Sequence, residues 1–561
     1  MANFSKILGL ASTALVFAGM AYGQNASCAA PVVQQTPLIR VEGTTELVGD
    51  YTFVCTGNGL AGTANILDIL TLPVTSKVLA TSGTYSGYTE AVAVVYTGAY
   101  PGTVVSSYQG TVSGSQVTFS GIPIAATGTT QIAITNIRVN ATSLTVGSGT
   151  PPAISESAFV SGAGINSTVE TSTPVAYAFT GLGKQSVYQT TGTGGTSGAF
   201  NFYVCQTYSA KSSANGVGTV GFINVGEGFA TSFKGLGGGN TALGSEFTAN
   251  SESGFTPTFL SGGSNVATTA TMLQIVFANI PSAVTLYMPV TVAADNGSTA
   301  GTLTLVTSPS NTATATVSTS SSVPQGAFGT STGFSAVTVA SGAATVYYLF
   351  APGTASSSLV ETFSIPPYIV ASANTITPSS SAMTASVSFA PVGSTQIPNF
   401  VVGPSTTTTT LSTFNICQTS LLFPFVTNQL GFDTGIAIAN TSSDPFGTKG
   451  ASPQAGTCTI NFYGAGAPSP SNVVSPNIPT GTVYTAVLSG IGAGFQGYLI
   501  AQCNFQYAHG FAFITDGVGS NGGLSQGYLA GVIPDTNQVP RTTANPIGSV
   551  TTKGVGETLG N

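Results

Sequence analysis

Gln131-Ile-Ala-Ile-Thr-Asn-Ile-Arg-Val139 is β-branched and alternating. That spacing reads as a half-buried strand. The same signal recurs along the chain. It appears in Ala91-Val-Ala-Val-Val-Tyr96, Thr302-Leu-Thr-Leu-Val306, Thr345-Val-Tyr-Tyr-Leu-Phe350 and Ala385-Ser-Val-Ser-Phe389. Gly, Pro, Asn and Ser punctuate these runs at short intervals, and helical periodicity is nearly absent. Residues 65–72 fit either a short helix or an apolar strand. Many short strands with frequent turns predict an all-β chain. The expected architecture is several antiparallel β-sandwich domains in tandem, Ig-like or jelly-roll-like.

Composition narrows the function. Charged residues make up 5% of the 561, with 17 Asp+Glu, 10 Lys+Arg and one His. An ordinary soluble domain carries about 25%. Ten scattered cations cannot form the basic stripe that nucleic acid requires, so no nucleic-acid partner is expected. So few titratable groups also argue against most acid–base enzymes. Hydrophobic residues reach 42%, too many for a disordered chain. No apolar run after residue 23 is long enough for a transmembrane helix, which needs about 18 or more residues. The polar end, Glu557-Thr-Leu-Gly-Asn561, lacks the aromatic terminal strand expected of an outer-membrane barrel.

The N-terminus reads as a secretory signal. Lys6 precedes a largely apolar stretch, Ile7 to Ala21, and Ala21-Tyr22-Gly23 offers small residues for cleavage. Gln24 then starts the mature chain. Losing Lys6 moves the formal net charge from −7 to −8.

Six cysteines follow: Cys28, Cys55, Cys205, Cys417, Cys458 and Cys503. An even number in an exported protein predicts disulfides. Period two places Cys458 with Ile460 and Phe462, and Cys503 with Leu499, Ala501 and Phe505. Cys458–Cys503 is therefore the preferred pair. Cys28–Cys55 follows by proximity, and Cys205–Cys417 is what remains. Both members of that last pair sit in a β-branched-Cys-Gln-Thr context. No Cys-x-x-Cys or Cys/His cluster supports a metal site.

Composition shifts divide the chain into a signal (1–23), a β-sandwich domain (24–184), a β-domain (185–290), a Ser/Thr-rich β-domain (291–410), a C-terminal β-sandwich (411–534) and a polar tail (535–561). Thr406 to Thr410 reads as a linker strand. The C-terminal sandwich shows seven strand signals. Of its aromatic residues, including Phe423, Phe425, Phe462, Phe505, Phe511 and Phe513, most are expected in its core. An "Ile-x-x-x-Asn-Ile" pattern recurs at 132–137 and 275–280, hinting at related units.

Four stretches carry a resemblance. They are Arg40-Val-Glu-Gly-Thr-Thr-Glu-Leu-Val-Gly-Asp50 with Cys55-Thr-Gly57; Ile134-Thr-Asn-Ile-Arg-Val-Asn-Ala141; Glu227-Gly-Phe-Ala-Thr-Ser-Phe-Lys234 with Ser251-Glu-Ser-Gly-Phe255; and the C-terminal domain, including Asn504-Phe-Gln-Tyr-Ala-His-Gly-Phe-Ala-Phe513. The chain resembles a group of large, secreted, β-rich acidobacterial proteins. The resemblance implies an extracellular bacterial setting. It implies no activity and supplies no catalytic residues.

Residues with catalytic potential are few. His509, the sole histidine, is expected at a turn. A triad would need it beside a nucleophile and a carboxylate such as Asp433 or Asp516. Gly-x-Ser-x-Gly occurs around Ser331 and Ser525, but no helix signal follows either serine, as a nucleophile elbow requires. Glu42, Glu46 and Asp50 cluster in sequence, as do Glu246 and Glu252. Paired carboxylates suit glycoside hydrolysis, yet the chain has no Trp for a sugar platform. No cofactor motif is read and no enzyme is expected. The reading is a secreted surface structural protein that self-associates into a filament, sheath or surface layer. The alternative is an adhesin or glycan-binding module, with Tyr85 and Tyr88 as candidate contacts. An extracellular hydrolase ranks third.

Overall fold

The computed structural model describes residues 24–533 apart from short stretches, the longer ones being 80–85, 189–198, 209–220, 257–266, 446–450 and 518–522. The expected signal and tail lie outside the described residues. Strand accounts for 54% of the structure and helix for 2%, so the chain is all-β, built of tandem antiparallel units. Residues 65–72, ambiguous in sequence, fall largely in strand Gly62–Leu70.

The first unit is a curled sheet that closes on itself. Its order runs Gln24–Cys28, Tyr51–Asn58, Thr127–Thr135, Tyr88–Thr97, Thr103–Ser113, Gln116–Ile124, Gly62–Leu70 and Ala153–Ala163. One residue past Ala163, strand Ile165–Asn166 pairs in parallel with the first strand. Eight strands leave an interior that side chains can fill. Ile66, Phe53, Phe119, Ile132 and Ile154 fill it. This unit is therefore a barrel within the tandem all-β architecture.

The second unit corrects the expected domain boundaries. The 290/291 boundary falls inside strand Thr285–Ala293, and the 410/411 boundary inside Thr409–Asn415. One sheet runs Phe200–Tyr203, Thr409–Asn415, Met383–Ala390, Met272–Ala278, Ala344–Ala351, Thr302–Ser308, Thr285–Ala293 and Ser331–Ala336. Strands from both expected domains thus share one sheet and one core. The Val/Thr/Ser-rich composition of 291–410 marked a change of sheet surface, not of domain. Phe233, Phe350, Phe363 and Phe389 interlock edge-on and stacked at the centre.

The recurring Asn-Ile pattern has a local cause. Strand Thr127–Thr135 ends at Asn136 (φ 61°) and strand Met272–Ala278 at Asn279 (φ 57°). Asn tolerates this left-handed conformation better than most residues. The following Ile137 and Ile280 are then buried.

The third unit is a two-sheet sandwich. One sheet runs Asn472–Val474, Cys458–Ala465, Gln496–Cys503, Thr419–Thr427 and Gly531–Ile533. The other runs Val483–Val487, Asp433–Asn440, Ala508–Thr515 and Ser525–Leu529. Leu421, Phe423, Ile438, Ile460, Phe462 and Phe505 lie between them. Cys458 stands directly opposite Cys503, and Cys28 opposite Cys55. Both pairs are disulfide-bonded. Cys417 is also disulfide-bonded, while Cys205 lies outside the described residues.

Candidate functional site: a charge-filled junction and an apolar sheet face

The few charges are not where a surface would use them. All eight described glutamates are buried: Glu42, Glu46, Glu90, Glu156, Glu227, Glu246, Glu252 and Glu361. So are Arg40, Arg138, Lys234, Asp50 and Asp68. Most gather between the barrel and the second unit.

Arg40, on strand Leu38–Arg40, occupies the centre. Its side chain donates to Glu46 Oε1 at 2.9 Å, to Glu252 Oε1 and Oε2 at 2.9 and 3.1 Å, to the Ser232 carbonyl at 2.9 Å and to Thr271 Oγ1 at 2.9 Å. The guanidinium lies 4.7 Å from the Phe400 ring centre and 5.6 Å from that of Phe389. Burial works against its charge, but Glu252 and Glu46 outweigh burial and raise its pKa. Burial would likewise raise Glu252, yet Arg40 and Lys234 lower it. Gly181 must be glycine here. A Cβ on it would sit 2.4 Å from Arg40 Cγ, and its N–H donates to Glu42 at 2.9 Å.

Arg138 forms a second node. It donates to both Glu90 oxygens at 3.1 and 3.2 Å and to the Glu252 carbonyl at 2.7 Å. Asn136 clamps Phe255. Its Nδ2 donates to the Phe255 carbonyl at 2.6 Å and its Oδ1 accepts from the Phe255 N–H at 2.7 Å. Glu227 accepts from the Phe233 and Glu361 N–H groups at 2.7 and 3.0 Å. Three of the four stretches that carried the resemblance therefore meet in one network. Buried ion pairs gain little net stability over apolar packing, but they penalise any misaligned arrangement. The junction acts as a lock between the two units.

These contacts reassign the carboxylates read from sequence. Glu46 and Glu252 hold Arg40, and Glu42 holds the Gly181 turn. Asp50 accepts from the Tyr100 hydroxyl at 2.6 Å. No group of three or more His, Cys, Asp or Glu suited to a metal occurs among the described residues.

His509 is not at a turn. The turn ends at Tyr507 (φ 61°), and Ala508–Thr515 is a strand in which His509 faces Ala439. Asp433 and Ser525 both pair with Thr515, six residues along that strand. Six residues of strand span about 20 Å. Asp433 is occupied in accepting from the Ser489 hydroxyl and N–H. Asp516 follows Thr515 at that far end, and Ser331 is buried in the second unit. No triad forms among these residues. Tyr85 lies outside the described residues, and Tyr88 begins strand Tyr88–Thr97.

The third unit presents the opposite of the junction. On the outward face of its four-stranded sheet, Val487 aligns with Gly435, Phe513 and Gly527. Thr485 aligns with Ala437, Phe511 and Leu529, and Val483 with Ala439 and His509. Val483, Val487, Phe511, Phe513 and Leu529 are exposed at 57, 54, 42, 39 and 62%. Small residues on Asp433–Asn440 leave a trough of about 490 Å³ between the valine and phenylalanine rows. Phe425, Phe511 and Phe513 are thus surface groups, and the two-sheet core is filled by Phe423, Phe462, Phe495 and Phe505. Strand Val483–Val487 ends its sheet, with its outer edge unpaired among the described strands. A second apolar cleft, about 470 Å³, is lined by Phe425, Leu430, Phe432 and Leu524. Leu430 is 93% exposed at φ 55°.

No protein-family model and no curated protein matches the chain. Among solved structures, a DUF4466 family protein from Parabacteroides merdae aligns at 8% identity and TM-score 0.22, covering 62% of this chain and 99% of that one. The major pilin subunit of Bacillus cereus aligns at 9% identity and TM-score 0.18, covering 84% of this chain and 97% of that one. The CupB6 tip adhesin of Pseudomonas aeruginosa aligns at 8% identity and TM-score 0.15, covering 70% and 99%. Likenesses this distant carry no inference about the role of this chain.

Proposed function

We propose that the protein is an extracellular structural subunit that associates with copies of itself through its C-terminal sandwich. The observation behind this reading is the apolar rows of the outward sheet face, flanked by the open edge of Val483–Val487. Soluble β-proteins normally protect such edges with charge, Pro or bulges. Here the edge strand reads Val-Tyr-Thr-Ala-Val, with no charge. Its outward row, Val483, Thr485 and Val487, is symmetric about Thr485. Antiparallel pairing of two such edges sets each valine against the other copy's valine and continues the sheet and trough across both copies. The disulfides agree with an oxidising compartment outside the cytoplasm.

Electron microscopy of the concentrated mature chain tests this reading. Paired particles are expected from the wild type and single ones from Thr485→Lys, because an edge that pairs with its own copy about a two-fold axis closes as a dimer. Dispersed single particles from both rule it out.

A second reading, an adhesin, rests on Leu430. A leucine in the left-handed region, almost fully exposed beside Phe425 and Leu524, is kept at a cost. Such a tip suits contact with an apolar foreign surface. Binding lost in Leu430→Ser, with self-association intact, would favour this role.

A further inference from the structure

Two acids sit in the barrel interior, away from the junction. Asp68 belongs to strand Gly62–Leu70 and Glu156 to its antiparallel neighbour Ala153–Ala163. Asp68 lies opposite Ala158, and Glu156 opposite Leu70. The two are diagonal neighbours on the inward face, within side-chain reach. Both are buried among Ile66, Leu70, Ile154 and Ala158. From the adjoining strands, Gln116–Ile124 contributes Val117 and Phe119, and Thr173–Phe179 contributes Val175. Tyr51, on Tyr51–Asn58, is the other titratable group acting on the pair. The buried cations among the described residues are Arg40, Arg138 and Lys234, and all three belong to the junction.

Neither oxygen of Asp68 makes a hydrogen bond of good geometry with a protein donor, and Glu156, Tyr51 and the Ile69 N–H are the polar groups close enough to act on it. An ionised carboxylate in that state is costly in an apolar core. A proton held between two facing carboxyls supplies the missing donor, and like charges this close resist double ionisation. Burial, with no cation to offset it, pushes Asp68 up to about 6.

We propose that Asp68 and Glu156 share a proton and form an acid-side latch: the barrel is tight while the proton is held, and loosens when rising pH sends it to solvent. The sign follows from a raised acid. Its stabilising effect is full below the ordinary value of 3.8 and is lost as pH climbs through about 6. The latch is independent of the self-association reading.

The test uses the full mature chain with its disulfides intact. Denaturant unfolding of the barrel is followed from pH 4 to pH 8, with hydrogen exchange read at Gly62–Leu70 and Ala153–Ala163. The pair is expected to raise the unfolding constant about a hundredfold over that range. Asp68→Asn and Glu156→Gln, which leave one acid or none to ionise, lose that component, while other raised acids keep theirs. Variants with the wild-type pH slope overturn the proposal. Should neither variant fold, the wild type still decides. The carboxyl-carbon resonance of Asp68 must titrate near pH 6, and an ionised Asp68 at pH 4.5 contradicts the latch.

Discussion

Arg40 and Glu252 stand 212 residues apart in the chain and meet as a two-pronged pair at 2.9 and 3.1 Å. Both are almost wholly shielded from solvent. The pair joins the barrel to the segment that seats the second unit. It places scarce charge where alignment is needed and leaves the valine and phenylalanine rows of the C-terminal sheet, from Val483 to Phe513, without any; Asp433 lies beyond them at the end of the sheet.

Arg40→Ala leaves Glu46 and Glu252 buried without their hydrogen-bonded cation, with only Lys234 acting from nearby. Removing one partner of a buried pair costs about 3–5 kcal/mol. Chemical unfolding should show that loss, with the barrel and second unit no longer unfolding together. Retention of one cooperative transition at unchanged midpoint would show that the network contributes no coupling.

The Cys458–Cys503 bond closes a separation of 45 residues within the sandwich. A loop of that size is worth about 4 kcal/mol in the chain-entropy model. Cys458→Ala with Cys503→Ala should lower the C-terminal unfolding midpoint and leave the barrel transition in place. Calorimetry of the full chain separates the two.

Burial pushes Glu227 up to about 8; the Glu361 and Phe233 N–H groups oppose this, and the Glu361 carboxyl adds to it. A raised acid stabilises fully below its ordinary value, 4.5, and loses that effect as pH rises towards 8. The melting temperature of the wild type should fall from pH 5 to pH 8. Glu227→Gln should fall less over the same range.

Leu430 is held at φ 55° on an exposed turn. Glycine adopts that conformation freely, whereas L-residues lose about 1–2 kcal/mol there. Leu430→Gly should therefore raise stability slightly, by about 1 kcal/mol. A lower melting temperature would mean that the leucine side chain contributes packing.

Period two carried the strands. Cys458, Ile460 and Phe462 share one buried face because a half-buried strand has no other arrangement. The same rule could not tell which side of Phe511 and Phe513 meets another sheet, since an exposed apolar face and a core face look alike in sequence. Closure of the barrel depends on two residues, Ile165 and Asn166, too short a strand to register as periodicity. The junction was hidden for a different reason. Glu42, Glu46 and Asp50 looked like a local cluster, but their partners include Gly181, Arg40 and Tyr100, brought close only by the fold. His509 reads as a turn residue because it lies between two strand signals, whereas Tyr507 takes the positive φ and Ala508–Thr515 is strand.

Association between copies through the apolar C-terminal rows is the proposal on which the functional reading rests. Sedimentation equilibrium of the mature chain, at rising concentration and at low and high salt, tests it most directly. Concentration-dependent association that salt does not weaken is expected, because apolar contact and strand pairing are not screened. Thr485→Lys should remain monomeric with unchanged stability. A wild type that stays monomeric at every concentration, or an association abolished by salt, would contradict the proposal.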